Sequence, residues 1–154
     1  MYGVTQMTVT ENIALVSLKK IPHKLDLFAD VFGRFAQKGI NIDMISQTSP
    51  LGGNVSVSFT CPDNDMVSLL SVTKNLQETD PTLRPLVSSG NAKIQLSGEE
   101  MRTSGGVFAR AMSGLANAHV EVLQVSTSEV DICLLVPATS LDAAYTALKE
   151  AFAL

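Results

Sequence analysis

FADVFGRFAQKGINIDMIS, residues 28–46, returns 80 positions later as FARAMSGLANAHVEVLQVS, residues 108–126. Phe28-Ala29 falls on Phe108-Ala109, Phe32 on Met112, Phe35 on Leu115, Ile40-Asn41-Ile42 on Val120-Glu121-Val122, and Ile45-Ser46 on Val125-Ser126. Upstream the offset drops to 78, where Ala14, Val16 and Leu18 fall on Ala92, Ile94 and Leu96. Downstream it drops to 75, where Pro62 falls on Pro137. Apolar positions are kept while length changes are confined to connecting loops, which is the signature of a duplicated unit.

The first copy predicts its own elements. Alternation from Ile13 to Leu18 reads as a strand, and Pro22 to Lys24 turn the chain. Leu25, Phe28, Val31, Phe32 and Phe35 recur at helical spacing, and Gly39 is placed to stop that helix. Ile40 to Thr48 is a second strand, joined through Ser49-Pro50-Leu51-Gly52-Gly53 to a hairpin partner at Asn54 to Cys61. Pro62-Asp63-Asn64-Asp65 opens a second helix with carboxylates expected in its first turn, continued by Leu69, Leu70, Val72, Thr73 and Leu76. A fourth strand at Leu83 to Ser88 completes a β-α-β-β-α-β unit.

The second copy repeats this as strand 92–97, helix 105–117, strand 119–127, strand 129–136 and helix 140–152, and then lacks a fourth strand. An empty slot beside a core position would leave an open sheet edge. The alternating segment Gly3 to Thr10 is the free candidate to fill it. The expected fold class is therefore α+β: two ferredoxin-like βαββαβ units with antiparallel sheets and helices on one face. Residues 11–89 form the first unit, and residues 1–10 with 90–154 form the second, so the first is inserted within the second.

Composition narrows the function. Each copy has roughly 75 residues, a size at which burial is marginal alone, which favours a shared core or interface. Charged residues make up 17% of the chain, below the roughly 25% usual for soluble domains, so part of the surface is expected to be covered by another copy or another chain. A net charge of −4 with no basic run argues against nucleic acid. An RNA-binding module of this architecture would also need exposed aromatics on its central strands, and Phe59 alone does not supply them. No apolar run approaches the ~20 residues of a membrane span, and MYGVTQMTVTEN has no signal-peptide profile, so a cytoplasmic location is expected. Cys61 and Cys133 sit in apolar strand-like runs and read as buried free thiols. No metal-spaced cluster, nucleophile–base set or P-loop is visible, and Gly52-Gly53 and Gly105-Gly106 are isolated pairs, so neither catalysis nor a cofactor is expected.

Gly39-Ile-Asn-Ile-Asp-Met-Ile-Ser-Gln47 resembles the first ACT unit of aspartate kinase regulatory regions. Met101-Arg-Thr-Ser-Gly-Gly-Val-Phe-Ala-Arg110, followed by Val125-Ser-Thr-Ser-Glu-Val130, resembles the second. The likeness covers essentially the whole chain, including the opening Gly3-Val4-Thr5, and the family's kinase domain has no counterpart here. It implies an interleaved topology and an amino-acid effector, lysine or threonine. It also implies a homodimer with ACT sheets side by side, and a catalytic aspartate kinase chain as partner. The alternative is an architectural ACT pair whose ligand sites have decayed and which acts only through protein contacts.

A free amino acid offers a carboxylate, an ammonium and a side chain. The loop entering a helix presents unsatisfied N–H groups at the positive end of a dipole, a seat for the carboxylate. In the first copy that loop is Lys24, Leu25, Asp26, Leu27 and Phe28. By resemblance, Gln47 and the backbone around Asn41, Ile42 and Asp43 are the main effector contacts, with a facing second unit closing the pocket; otherwise Asn41 and Asp43 simply face solvent or a dimer seam. The family's Pro-Gly pair is replaced by Leu25 and Asp26. Asp26 sets a carboxylate where the ligand's should dock. Like charges at ~4 Å repel by about 1 kcal/mol in water and about 4 kcal/mol at an effective dielectric of 20, a roughly fivefold to thousandfold loss unless Lys24 or His23 neutralises it. Asp26 either selects a cationic ligand or serves as the helix N-cap. The second copy keeps Gly105 and Gly106 but carries His119 and Glu121 where the family has Gly and Asn. Glu121 is a candidate for the ammonium or points into water, and His119 reads as a surface or capping residue. Ser126, Thr127, Ser128 and Glu129 keep the family pattern and are expected at a unit-to-unit contact.

Overall fold

A computed structural model describes residues 2–154. Six strands and four α-helices follow one another as β1 (Gln6–Pro22), α1 (Leu25–Gln37), β2 (Asp43–Gln47), β3 (Asn54–Pro62), α2 (Met66–Thr79), β4 (Leu86–Ser97), α3 (Val107–Asn117), β5 (Gln124–Thr127), β6 (Asp131–Pro137) and α4 (Leu141–Phe152). The fold is α+β, with elements in β-α-β-β-α-β order from β1 to β4, followed by α3, β5, β6 and α4. Contacts divide the chain into two compact units: Asn12–Ser89, and the segment ending at Glu11 together with Gly90–Leu154.

Two strands are longer than the sequence suggests. Residues 3–10 and 13–18 read as separate strands, yet β1 is continuous from Gln6 to Pro22. Likewise 83–88 and 92–97 join as β4, which starts at Leu86. At each join one residue takes a left-handed conformation, Asn12 at φ 59° and Gly90 at φ 71°. Both residue types adopt that region at little cost, so each strand continues through its join.

Within Asn12–Ser89, β1 and β2 both pair antiparallel with β3. Ala14, Val16 and Leu18 alternate inward against Val55, Val57, Phe59 and Cys61, and one core takes in Val31 and Phe35 of α1 with Leu69, Val72 and Leu76 of α2. Phe59 is its centre, edge-on to Phe35 at 5.2 Å and to Phe32 at 5.3 Å. Outside the core, Arg34 ties α1 to α2, reaching Asp30, Asn75 Oδ1 at 2.6 Å and Thr79 Oγ1 at 2.9 Å. The carboxylates expected inside the first turn of α2 lie before it. Asp65 is the N-cap and accepts from the Ser68 N–H, and hydrogen bonding from Ser68 holds its carboxyl below the usual carboxylate range. Cys61 is a buried thiol whose pKa is raised by burial and then by the Asp63 charge, and Cys133 is a second buried cysteine outside any disulfide.

In the other unit, β4 and β5 pair antiparallel with β6. Ala92, Ile94 and Leu96 meet Ile132, Leu134 and Val136, under Val107, Ala111 and Leu115 of α3 and Ala144, Leu148 and Phe152 of α4. Val4 belongs to this core and is fully buried. The Thr5 N–H donates to Ser97 O at 2.8 Å, which lays the N-terminal segment along β4. That approach is possible only because residue 98 is glycine: a Cβ there would sit 2.1 Å from Gly3 O.

The two equivalent helices end alike. Gly39 N–H bonds to Ala36 O and Ile40 N–H to Phe35 O, while His119 N–H bonds to Ala116 O and Val120 N–H to Leu115 O. Both are Schellman closures with a left-handed residue, φ 69° at Gly39 and 56° at His119. A Cβ in that region costs about 1 kcal/mol. His119→Gly should therefore raise the melting temperature by about 2–4 °C; an unchanged or lower value in a thermal melt would show that the imidazole contributes more than its backbone strain costs.

Candidate functional site

In the Asn12–Ser89 unit the connection into α1 is only His23 and Lys24. His23 N–H donates to Gly53 O at 2.9 Å and Lys24 N–H to Pro22 O at 3.0 Å, which closes the turn tightly. Lys24 is the N-cap, in an extended conformation and without a side-chain cap. Asp26 is therefore not a cap, correcting that alternative: the helix starts two residues earlier because the short turn leaves no room for a longer approach. Asp26 lies exposed in the first turn, where the helix dipole favours its charge. Leu27 and Phe28 are half-buried against the core.

Asn41 and Ile42 lie in the irregular segment between α1 and β2, with Asn41 exposed and Ile42 packed on the core. The second strand is thus shorter than the expected 40–48, because Ile40 and Ile42 bury under the helix instead of pairing. Asp43 pairs with Thr60 and Gln47 with Val57 on β3. On the other side of β3, Thr60 faces Leu15 and Val57 faces Leu18. Gln47 therefore lies towards the end where β1 feeds α1, the end that carries Lys24, Asp26, Leu27 and Phe28. Asn41, Ile42 and Asp43 follow the other end of α1, and a helix of 13 residues is about 20 Å long. Within one unit the structure groups Gln47 with the loop residues and separates Asn41, Ile42 and Asp43 from them. Between Asp43 and Ser46 the pairing register slips at a bulge, where buried Met44 has φ 47°. Backbone strain of this kind marks a position the surrounding structure holds firmly.

The other unit is built differently at the same place. Its connection from β4 to α3 runs from residue 98 to 106 and contains a 3-10 turn at Glu99–Arg102. Gly106 is the N-cap of α3 at φ 80°. This longer loop opens a groove of about 830 Å³, lined by Met101, Arg102, Ser104, Gly106, Val107 and Phe108 on one side and by Val125, Ser126, Thr127, Ser128, Glu129 and Ile132 on the other. That is within the size range of small-ligand pockets. Arg102 Nε lies 3.3 Å from Glu99 Oε2, and its Nη1 bonds Glu129 Oε2. The β5–β6 turn is fixed by Ser128 N–H to Asp131 O at 2.9 Å and by Val130 N–H to Ser128 Oγ at 3.2 Å. Ser126 and Glu129 thus share the groove. Glu121 does not: it is exposed beyond the opposite end of α3, just after His119.

Arg102, Ser104 and Phe108 were not picked out from the sequence as site residues. The repeat itself carried the signal, since the 80-residue offset places Lys24, Asp26 and Phe28 on Ser104, Gly106 and Phe108. A larger groove of about 1490 Å³ runs along α3 and α4 past Tyr2, Arg110, Ser113, Gly114, Ala147 and Ala151. Its one arginine is already engaged, over the Tyr2 ring at 3.6 Å and on Ala151 O at 3.2 Å. The smaller groove brings together Arg102, Glu129 and the hydroxyls of Ser104, Ser126, Thr127 and Ser128. Among the described residues no group of His, Cys, Asp and Glu is arranged to hold a metal ion, and no helix is long and apolar enough to cross a membrane.

Residues 94–152, within the second repeat, match the family model of the ACT domain. Over nearly its whole length the chain is also similar to part of several aspartokinases. It is 33% identical over 153 residues to the aspartokinase of Corynebacterium efficiens, an alignment covering 98% of this chain and 36% of that protein, so it spans about a third of the curated relative. The ligand-free regulatory subunit of aspartate kinase from Thermus thermophilus superposes with a TM-score of 0.87 at 25% identity, covering 97% of this chain and 99% of that one. A structure of aspartokinase alpha and beta subunits gives 0.87 at 26% identity, covering 98% and 99%. Both solved chains are thus matched over 99% of their own length.

Proposed function

We propose that the chain is a tandem ACT regulatory protein that binds a free amino acid, of the lysine or threonine kind, and transmits its occupancy to a catalytic aspartate kinase chain. The observation that carries this reading is the near-complete mutual coverage with an aspartate kinase regulatory subunit, 97% of this chain and 99% of that one. The groove of the Gly90–Leu154 unit supports it, offering a guanidinium, hydroxyls and a carboxylate around a helix start. Gln47 with the Lys24–Phe28 loop is the corresponding candidate in the Asn12–Ser89 unit, and Asn41, Ile42, Asp43 and Glu121 would contribute only through a facing unit. The low charged fraction of 17% favours a homodimer, which light scattering at tens of micromolar would reveal.

A thermal-shift panel of the twenty amino acids tests the sensing role. A ligand at 100 times its dissociation constant stabilises by about 2.7 kcal/mol, a rise of roughly 5–10 °C for a chain of this size. Lysine or threonine should produce such a rise. No shift with any amino acid at tens of millimolar would leave the architectural pair as the surviving function. The exposed Asp26 at the tight first-unit turn favours that second reading for the first unit taken alone.

A further inference from the structure

The groove of the Gly90–Leu154 unit receives one charge from each side, Arg102 from the 3-10 turn and Glu129 from the β5–β6 turn, and the two meet in an ion pair. Both remain accessible, with side chains 50% and 77% exposed. An exposed pair of this kind is weak and screened by salt, so little opposes its opening. Glu99 meanwhile bonds the Nε edge of the same guanidinium at 3.3 Å. Glu99 is itself 83% exposed, so the guanidinium is shared between two weak partners, either of which an incoming carboxylate can displace.

A free α-amino acid carries the same two charges on one small molecule. Inserted between Arg102 and Glu129, it converts one ion pair into two: its carboxylate takes the planar fork of the guanidinium, and its ammonium takes the released carboxylate. Arginine suits the first task because its fork matches a carboxylate in two parallel hydrogen bonds. The left-handed Gly106 keeps the loop backbone open beside this point, with no Cβ to fill the space. We infer that Arg102 and Glu129 are the residues that read the α-carboxylate and α-ammonium of the ligand, and that their ion pair is the closed state of the empty groove. The inference rests on the amino-acid-sensing function proposed above and assigns its recognition chemistry to this groove. It also explains how a groove lined by Glu129 accepts an anionic group: the ligand's carboxylate replaces that of Glu129 on Arg102 instead of adding to it.

Calorimetric titration with lysine and threonine on the whole protein tests this, using Arg102→Gln, Arg102→Lys and Glu129→Gln, with circular dichroism to show that each variant is folded. Arg102→Gln is expected to weaken binding at least tenfold, and Arg102→Lys to recover part of that loss by keeping charge without the fork. Glu129→Gln should weaken the amino acid at least tenfold but leave 6-aminohexanoate, which lacks the α-ammonium, bound as well as before or better. Binding of the amino acid within twofold of the unmodified protein in either glutamine variant overturns the inference while leaving the sensing role intact, and would direct attention to the Lys24–Gln47 end of the other unit. Absence of binding by the unmodified protein would sink both.

Discussion

Gly98→Ala is expected to lower the melting temperature by roughly 6–12 °C, the larger of the two mutational effects predicted for the Gly90–Leu154 unit. The backbone at Gly98 is extended, at φ 174°, so conformation alone would admit any residue. The obstacle is space. An added Cβ would lie 2.1 Å from Gly3 O, 3.1 Å from Gly3 C and 3.1 Å from Thr5 N, all of them main-chain atoms that no rotamer change can move aside. Overpacking typically costs 1–3 kcal/mol. Here the escape route is to lift the N-terminal segment away, and that adds the exposure of Val4 and the loss of the Thr5–Ser97 hydrogen bond. Fully burying a valine contributes about 1.5–3 kcal/mol, so a total near 3 kcal/mol or more follows, at about 2–4 °C per kcal/mol. Gly105→Ala is the control, because a Cβ at Gly105 meets nothing within 4 Å. Thermal melts with hydrogen exchange at the Thr5 amide check both halves of the argument. A Gly98→Ala protein that melts within 2 °C of the parent and still protects Thr5 would show that the segment is not seated there.

Phe59→Ala should cost the Asn12–Ser89 unit about 3–5 kcal/mol, the range for deleting a buried aromatic and leaving a cavity. Phe59 is fully buried in the middle of β3 and touches aromatic rings from two successive turns of α1. Those edge-to-face contacts add to area burial. Truncation would strand Phe32 and Phe35 over a void that α1 cannot collapse into, since Arg34 also ties that helix to α2. Phe108→Ala offers the contrast: that ring is 45% exposed at the groove and should cost far less. Denaturant unfolding followed by circular dichroism measures both, and a Phe59→Ala penalty below 1 kcal/mol would mean the helix does repack.

The helices were legible because most of their core-facing residues keep a helical period. Val31 and Phe35, and their repeat partners Ala111 and Leu115, are buried, whereas Leu25 and Leu70, read into the same stripes, are exposed at the start of α1 and on α2. Strand limits were less legible. Asn12 and Gly90 look like turn residues locally, and only pairing with neighbouring strands tells the chain to continue through them. Ile40 and Ile42 alternate like a strand but serve as a lid on the helix core, a tertiary outcome that period alone cannot separate from pairing. For the site, Ser126 and Glu129 were visible through the Ser-Thr-Ser-Glu motif, whereas Arg102 was hidden inside a stretch read for its glycines. Its role depends on where a 3-10 turn points it, and that is set by the length of the 98–106 loop.

The two left-handed joins at Asn12 and Gly90 have a consequence for how this architecture can be shuffled. One core, Asn12–Ser89, is a single unbroken stretch of gene, with every member of its buried cluster between Ala14 and Leu83. The other cannot be copied that way, because Val4 precedes the first unit in sequence while Ala92 and the rest of its core follow it. The first unit is therefore one uninterrupted cassette, lying in sequence between Glu11 and Gly90. The unit that carries the groove can be moved only in two pieces, or with its guest still inside it.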